Sequence, residues 1–378
     1  MRTHNPQNER IKRAYFAYLA DAQGFSGPTL DGVAKAINRF ETYTKFRDFK
    51  GFHIEQAKGF KLSLADQMSL RTKDRLSKAT LYATLTALKR FFIWLAGQPG
   101  YKSRVSYSDA EYFNLSAKDT RIAKAQREQR VPTVEQVLHV IRSMPAGTDI
   151  ERRDRALIVF TILTGTRDRA TASLKLKHLD IGQRKVDQDA RQVNTKFSKT
   201  FTTWFFPIGD EVVQIVGDWF NYLQQEKLWG PDDPLFPATR IVVGSGQRFE
   251  VSGLDRKHWS SAGPIRKIFK NAFTSAGLPY FNPHSFRKTL AQLGEKRCHT
   301  PEQFKAWSQN LGHEKVLTTF SSYGDVSAAR QRDIIRDLAQ PMDSNPQLEE
   351  MIKQVVQAAR HQGVSGIRQE SAAVTPLR

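Results

Sequence analysis

Hydrophobic positions along this chain recur mainly at helical spacing. The clearest case is 77–96, SKATLYATLTALKRFFIWLA, where Leu81, Leu85, Leu88, Phe92 and Leu95 follow at steps of 4, 3, 4 and 3. That stripe predicts a helix with one buried face, Ser77 as its N-cap and Gly97 as its stop. Val33, Ala36, Ile37 and Phe40 predict a shorter helix after Gly27–Pro28. Segment 116–130, SAKDTRIAKAQREQR, is charged and almost without large apolar residues, and reads as a basic interdomain linker. Directly after it, Thr133-Val-Glu-Gln136 forms a capping box, and Val134, Val137, Leu138 and Ile141 resume the helical period. A new domain therefore starts near residue 131.

Within that domain ALIVFTILTG (156–165) is too apolar for a surface helix and predicts a central core element. Segments 178–181, 185–189 and 200–208 read as a small three-stranded sheet, the last pair joined by a polar turn through Lys196 and Lys199. Helices are predicted at about 209–226, 263–276, 284–297 and 301–311, with more to 339, and a Gly-, Pro- and Ser-rich loop over 229–263. After Pro341 and Pro346, Leu348, Met351, Ile352, Val355, Val356 and Ala359 stripe a tail helix over about 347–360. The end of the chain, about 362–378, reads as frayed. No internal repeat is visible. The pattern is that of a mostly α protein with a small antiparallel β-sheet, divided into 1–115, a linker 116–130, a second domain 131–340 and a tail 341–378.

Charge narrows the partner. Of 378 residues, 58 are Lys or Arg and 38 Asp or Glu, a formal charge of +20, while 39% hydrophobic residues suffice for a core. Residues 1–130 hold 24 basic against 12 acidic side chains, and the remainder 34 against 26. An excess of this size points to a polyanion, because each phosphate neutralised releases counterions. On the helix at 77–96 and just before it, Lys78, Lys89, Arg90 and Arg75 face outward and are the expected contacts. Cys298 is the single cysteine, which excludes a disulfide framework and a Cys-rich zinc site. No apolar run follows the charged N-terminus and no window is long enough to span a bilayer, so the expectation is a cytoplasmic protein with a polyanion, DNA or RNA, and no membrane as its partner.

Five short pieces carry potential chemistry for a phosphate partner. Thr164-Gly-Thr-Arg167 places an arginine at a glycine break after the core element. Lys196 sits in the turn NTKFSKT. Pro283-His284-Ser-Phe-Arg287 opens a helix with His and Arg on one face near its positive end. Leu311-Gly-His313 closes the next helix, and Tyr323 lies ten residues beyond it.

In this order the pieces resemble the tyrosine recombinases, the phage integrase family of DNA strand-transfer enzymes. The motifs cover about 131–340; residues 8–130 resemble more loosely the family's helical core-binding domain. Two departures stand out. The family has an acidic residue three positions after its first arginine, where this chain has Ala170, with Asp168 nearby. Its nucleophile follows the second histidine by nine residues, here by ten.

The resemblance implies a two-domain DNA clamp whose catalytic set is Tyr323, Arg167, Lys196, His284, Arg287 and His313. Tyr323 would attack the phosphorus to give a 3′-phosphotyrosyl link, and the two arginines would hold the non-bridging oxygens. Lys196, with Lys199 as the alternative, would protonate the 5′-oxygen; His284 would accept the tyrosine proton and His313 would bind the phosphate. It also implies double-stranded DNA recombination sites as substrate and a homo-tetramer on DNA, passing through a Holliday junction, from copies that are monomeric or weakly associated when free. The tail would dock in trans. Neither a cofactor, a metal nor ATP is expected, and no GxxxxGK[ST] loop is present. Accessory DNA-bending or directionality factors are compatible with this scheme. The competing readings are a relaxing enzyme of the type IB topoisomerase kind, and a catalytically silent DNA-binding protein on the same scaffold.

Overall fold

In a computed structural model the described residues are 4–69, 72–125, 130–244, 246–313 and Arg332. The chain divides into two compact units, Met1–Arg127 and Glu128–Arg378.

The first unit is built from α1 (Pro6–Ala17), α2 (Gly27–Tyr43), α3 (Ile54–Asp66), α4 (Lys78–Ala96) and α5 (Ala117–Lys124). Its core is aromatic. Phe40 meets Phe60 and Phe92 edge to face, both at 5.3 Å between ring centroids, and Phe52 stacks on Phe92 at 3.9 Å. Such quadrupole-matched pairs add to the burial of the rings themselves. Helix α4 is the one the apolar stripe predicts: Ser77 caps it by accepting from the Thr80 N–H, and Leu81, Leu85, Leu88, Phe92 and Leu95 are all buried.

Segment 116–130 departs from its expected linker form, because its first half is helix α5. Ser116 caps α5 by accepting from the Asp119 N–H. The helix is held to α4 by polar contacts: Lys78 pairs with Asp119 at 2.9 Å, and the Lys124 ammonium lies 5.4 Å from the Tyr82 ring centroid. An apolar stripe was therefore not needed to dock it, which is why hydrophobic periodicity missed it.

The second unit packs α6 (Val134–Ser143), α9 (Asp210–Asn221), α10 (Gly263–Ser275) and α11 (Pro283–Arg297) around α7 (Asp149–Thr164). Both residue sets of the Thr133–Gln136 capping box are formed. From Ala156 to Thr164 every residue of α7 is buried, as a segment apolar on all sides requires. The sheet is antiparallel in the order β1 (Leu179–Asp180), β2 (Lys185–Gln188), β3 (Phe201–Trp204), with Val186 opposite Leu179 and Thr203. Short α8 (Asp168–Thr171) follows α7, and α12 (Pro301–Asn310) follows α11.

The 229–263 loop also differs from expectation. It contains a two-stranded ribbon, β4 (Ala238–Val243) and β5 (Phe249–Asp255), with Ile241 opposite Val251 and Val243 opposite Phe249. The β-branched run Ile241-Val242-Val243 favours a strand, while the Gly and Ser around it favour a loop. These four paired side chains remain exposed, so no burial alternation marked the strands.

Candidate active site

Four chain breaks bring the candidate groups together. Helix α7 ends at Gly165, whose φ of 60° is left-handed and whose N–H bonds to the Thr161 carbonyl at 2.9 Å. A Cβ there would lie 2.9 Å from Leu311 Cδ2 and 3.0 Å from Leu290 Cδ1, so only glycine allows α11 and the end of α12 to close over this turn. The turn is knitted internally, with Thr164 Oγ1 donating to the Phe160 carbonyl and Thr166 Oγ1 to Thr164 Oγ1. It delivers Arg167 to the start of α8, half-buried.

Helix α11 begins at Pro283, capped by the Asn282 side chain accepting from the Ser285 N–H. One turn in, Arg287 is only 5% exposed. Its guanidinium donates to the Gly165 carbonyl at 2.5 Å and to the Leu311 carbonyl, and lies 3.1 Å from His313 Nε2. Arginine has only donors, so Nε2 of His313 accepts and the ring proton sits on Nδ1. Arg287 thus ties together the two glycine turns of the TGTR and LGH pieces.

The fourth break is the β2–β3 hairpin. Asn310, the last residue of α12, acts as an edge partner for β3: its side chain accepts from the Trp204 N–H at 2.7 Å and donates to the Trp204 carbonyl at 2.8 Å. Gly312, at φ 69°, then passes so close to Phe201 that a Cβ would stand 2.7 Å from the ring. Lys199, Phe201, Gly312 and His313 consequently line one groove of about 1070 Å³.

The electrostatics follow from this convergence of charge. Burial, and then the neighbouring Arg167, push Arg287 down to about 9, which still leaves it charged at neutral pH; burial lowers Arg167 as well. Burial, followed by the Arg287 and Arg167 charges, depresses both His284 and His313 to about 4. His284 also feels Lys288, with Asp168 opposing, and His313 feels Lys199. Two like-charged guanidinium groups held in one partly dry site repel each other until an anion arrives.

Arg167, His284, Arg287 and His313 are therefore brought together. Lys196 is not: it is exposed, with its ammonium 4.7 Å from the Phe197 ring centroid, and the lysine whose charge reaches His313 is Lys199. Tyr323 and the tail helix lie outside the described residues. Ala170 is buried, and Asp168 turns to Arg266 of α10 at 2.7 Å. Of the expected DNA contacts in the first unit, Lys78 pairs with Asp119, Lys89 with Glu111 at 2.7 Å and Arg75 with Asp66 at 3.5 Å, whereas Arg90 is exposed. Sequence reading missed Arg130, Tyr280 and Lys288, which line a cleft of about 410 Å³ beside His284. No periodic signal marks residues whose neighbourhood is set only by folding. Among the described residues no group of three or more His, Cys, Asp or Glu could hold a metal ion, and no helix is long and apolar enough to cross a membrane.

Two arginines and two histidines gathered in this way, on a mostly helical unit with small antiparallel sheets, fit the class of site-specific tyrosine recombinases, which break and rejoin DNA strands. The chain belongs to the phage integrase family, whose model matches residues 130–330. Among solved structures it is similar in fold to a lambda integrase (75–356) dimer bound to a COC′ core site. The TM-score is 0.58 at 15% identity, over 89% of this chain and 98% of that one. XerH site-specific recombinase bound to palindromic difH, a post-cleavage complex, gives 0.56 at 16% identity over 88% of this chain and 83% of that one. The Tn1549 transposon integrase with circular-intermediate DNA gives 0.53 at 15% identity over 86% and 99%. Comparison with curated protein sequences finds no match.

Proposed function

We propose that this protein integrates or excises a mobile element by cutting and rejoining DNA at specific sites through a 3′-phosphotyrosyl intermediate on Tyr323 and a Holliday junction. The observation that carries the reading is Arg287, buried and anchored to both glycine turns, with Arg167, two depressed histidines and Lys199 around it. Desolvated, fixed guanidinium groups are worth most where negative charge develops, here on the pentacoordinate phosphorus.

Arg167 and Arg287 hold the non-bridging oxygens in the place a divalent cation would occupy, so the scheme uses neither metal nor nucleotide. His284, neutral at physiological pH, accepts the Tyr323 proton as the phenol oxygen bonds to phosphorus. Lys199 gives a proton to the departing 5′-oxygen. His313 offers Nδ1–H as a donor. The reverse reaction with a 5′-hydroxyl from a second duplex exchanges strands. Residues 1–115 grip DNA as a core-binding domain, 131–340 carry out the chemistry, and the tail 341–378 joins copies into a tetramer. The lambda integrase and XerH complexes, bound to a core site and to difH, support DNA as the substrate.

The test uses duplexes that the protein itself selects from a randomised pool, nicked so that cleavage cannot reverse. The intact protein should form a covalent adduct, and Tyr323→Phe should bind equally but form none. An adduct with the Phe variant would move the nucleophile elsewhere.

A further inference from the structure

The tip of the β2–β3 hairpin carries a feature that strand transfer alone does not require. Phe197 is 79% exposed, the second most exposed large apolar side chain among the described residues. Its backbone is left-handed, at φ 61° and ψ 26°, and Ser198 follows at φ 51°. Two successive positive-φ positions suit Asn and Gly; a bulky aromatic there is strained and gains no burial in return. The base of the loop is anchored, with Val193 buried and the Asn194 N–H bonded to Ser173 Oγ at 2.9 Å, so the tip projects from a fixed platform. The Lys196 ammonium rides 4.7 Å from the ring, and Lys199 on the other side lines the groove that holds His313. A strained, uncovered aromatic flanked by cations beside a phosphate site has the chemistry of a group that stacks on a nucleobase while the cations meet the backbone.

We infer that Phe197 is a base-stacking wedge that enters the duplex next to the cleaved phosphodiester and unstacks the adjoining base. This rests on the strand-transfer reading and deepens it. Opening the step beside the phosphate frees the 5′-end to leave and to be replaced by an incoming strand. Lys196, exposed beside the ring, then serves as the cation that accompanies it to the DNA.

The experiment places 2-aminopurine on either side of the cleaved phosphate in the self-selected duplex and compares wild type with Phe197→Asn, Phe197→Leu and Phe197→Trp. Asn accepts the left-handed backbone, so that variant deletes the ring without disturbing the turn. Wild type and Phe197→Trp should brighten the probe on binding. Phe197→Asn and Phe197→Leu should not, and their adduct yield should fall roughly five- to a hundredfold, the range for losing one base–aromatic stack. Brightening and adduct yield unchanged in Phe197→Asn would overturn the inference while leaving strand transfer standing. A probe that brightens with wild type and not with Phe197→Asn, but without any adduct, would instead refute the strand-transfer reading and leave Phe197 as a base-stacking group only.

Discussion

His284 and His313 show how a residue's chemistry is set by what surrounds it rather than by its type. Both rings feel the Arg287 and Arg167 charges, and burial with those charges depresses each to about 4, against about 6.5 for an unperturbed imidazole. Between these values the unfolded chain binds more protons than the folded one. The stability of the second unit should therefore rise with pH through that window, be fully present above about 6.5, and be lost progressively as pH falls toward 4. Ring-proton NMR titration of the DNA-free protein should find two imidazoles still neutral near pH 5; titration of both at ordinary values would remove the positive cluster. Arg167, His284, Arg287 and His313 were legible in the sequence because each lies in a short piece that pins it to a helix end, where spacing and orientation are linked. Nothing in NTKFSKT announces that Phe197 and Ser198 are left-handed, so the sequence does not reveal that Lys199 lines the groove with His313 while Lys196 lies by the Phe197 ring.

At the scale of elements the β2–β3 hairpin is the informative unit. Its docking through Asn310 and Gly312 sets Lys199 beside His313, whereas Lys196 leans on Phe197. Lys199→Ala should slow cleavage of a normal phosphodiester by about 10²- to 10⁴-fold, the usual contribution of a general acid. Replacing the 5′-bridging oxygen by sulfur, a leaving group that needs no proton, should restore most of that loss. Lys196→Ala should show no such rescue, and a reversed pattern would return the role to Lys196. Helix α4, the capping box and the three-stranded sheet followed from periodicity and caps because their apolar faces are buried. Helix α5 and the β4–β5 ribbon did not follow, since one docks through charges and the other leaves its apolar pairs uncovered.

For the whole molecule, each unit has a core of its own, the first dominated by phenylalanine and the second centred on α7. Residues 1–127, expressed alone, should unfold cooperatively and bind duplex DNA with a shallower salt dependence than the full chain, because fewer phosphates are neutralised. An identical salt slope, read from binding isotherms at several ionic strengths, would place all DNA contact in that fragment. The basic excess was evident from the chain; that residues 117–124 form a helix of the first unit, where a linker is expected, depended on contacts between polar side chains.

The central claim is that Arg167 and Arg287 neutralise a single DNA phosphate. Its most direct measurement compares wild type and Arg167→Ala on a normal cleavage site and on one whose scissile phosphate carries a neutral methylphosphonate. Arg167→Ala should be nearly inactive on the normal site and regain cleavage when the charge it opposed is gone. Equal impairment on both substrates would contradict the claim.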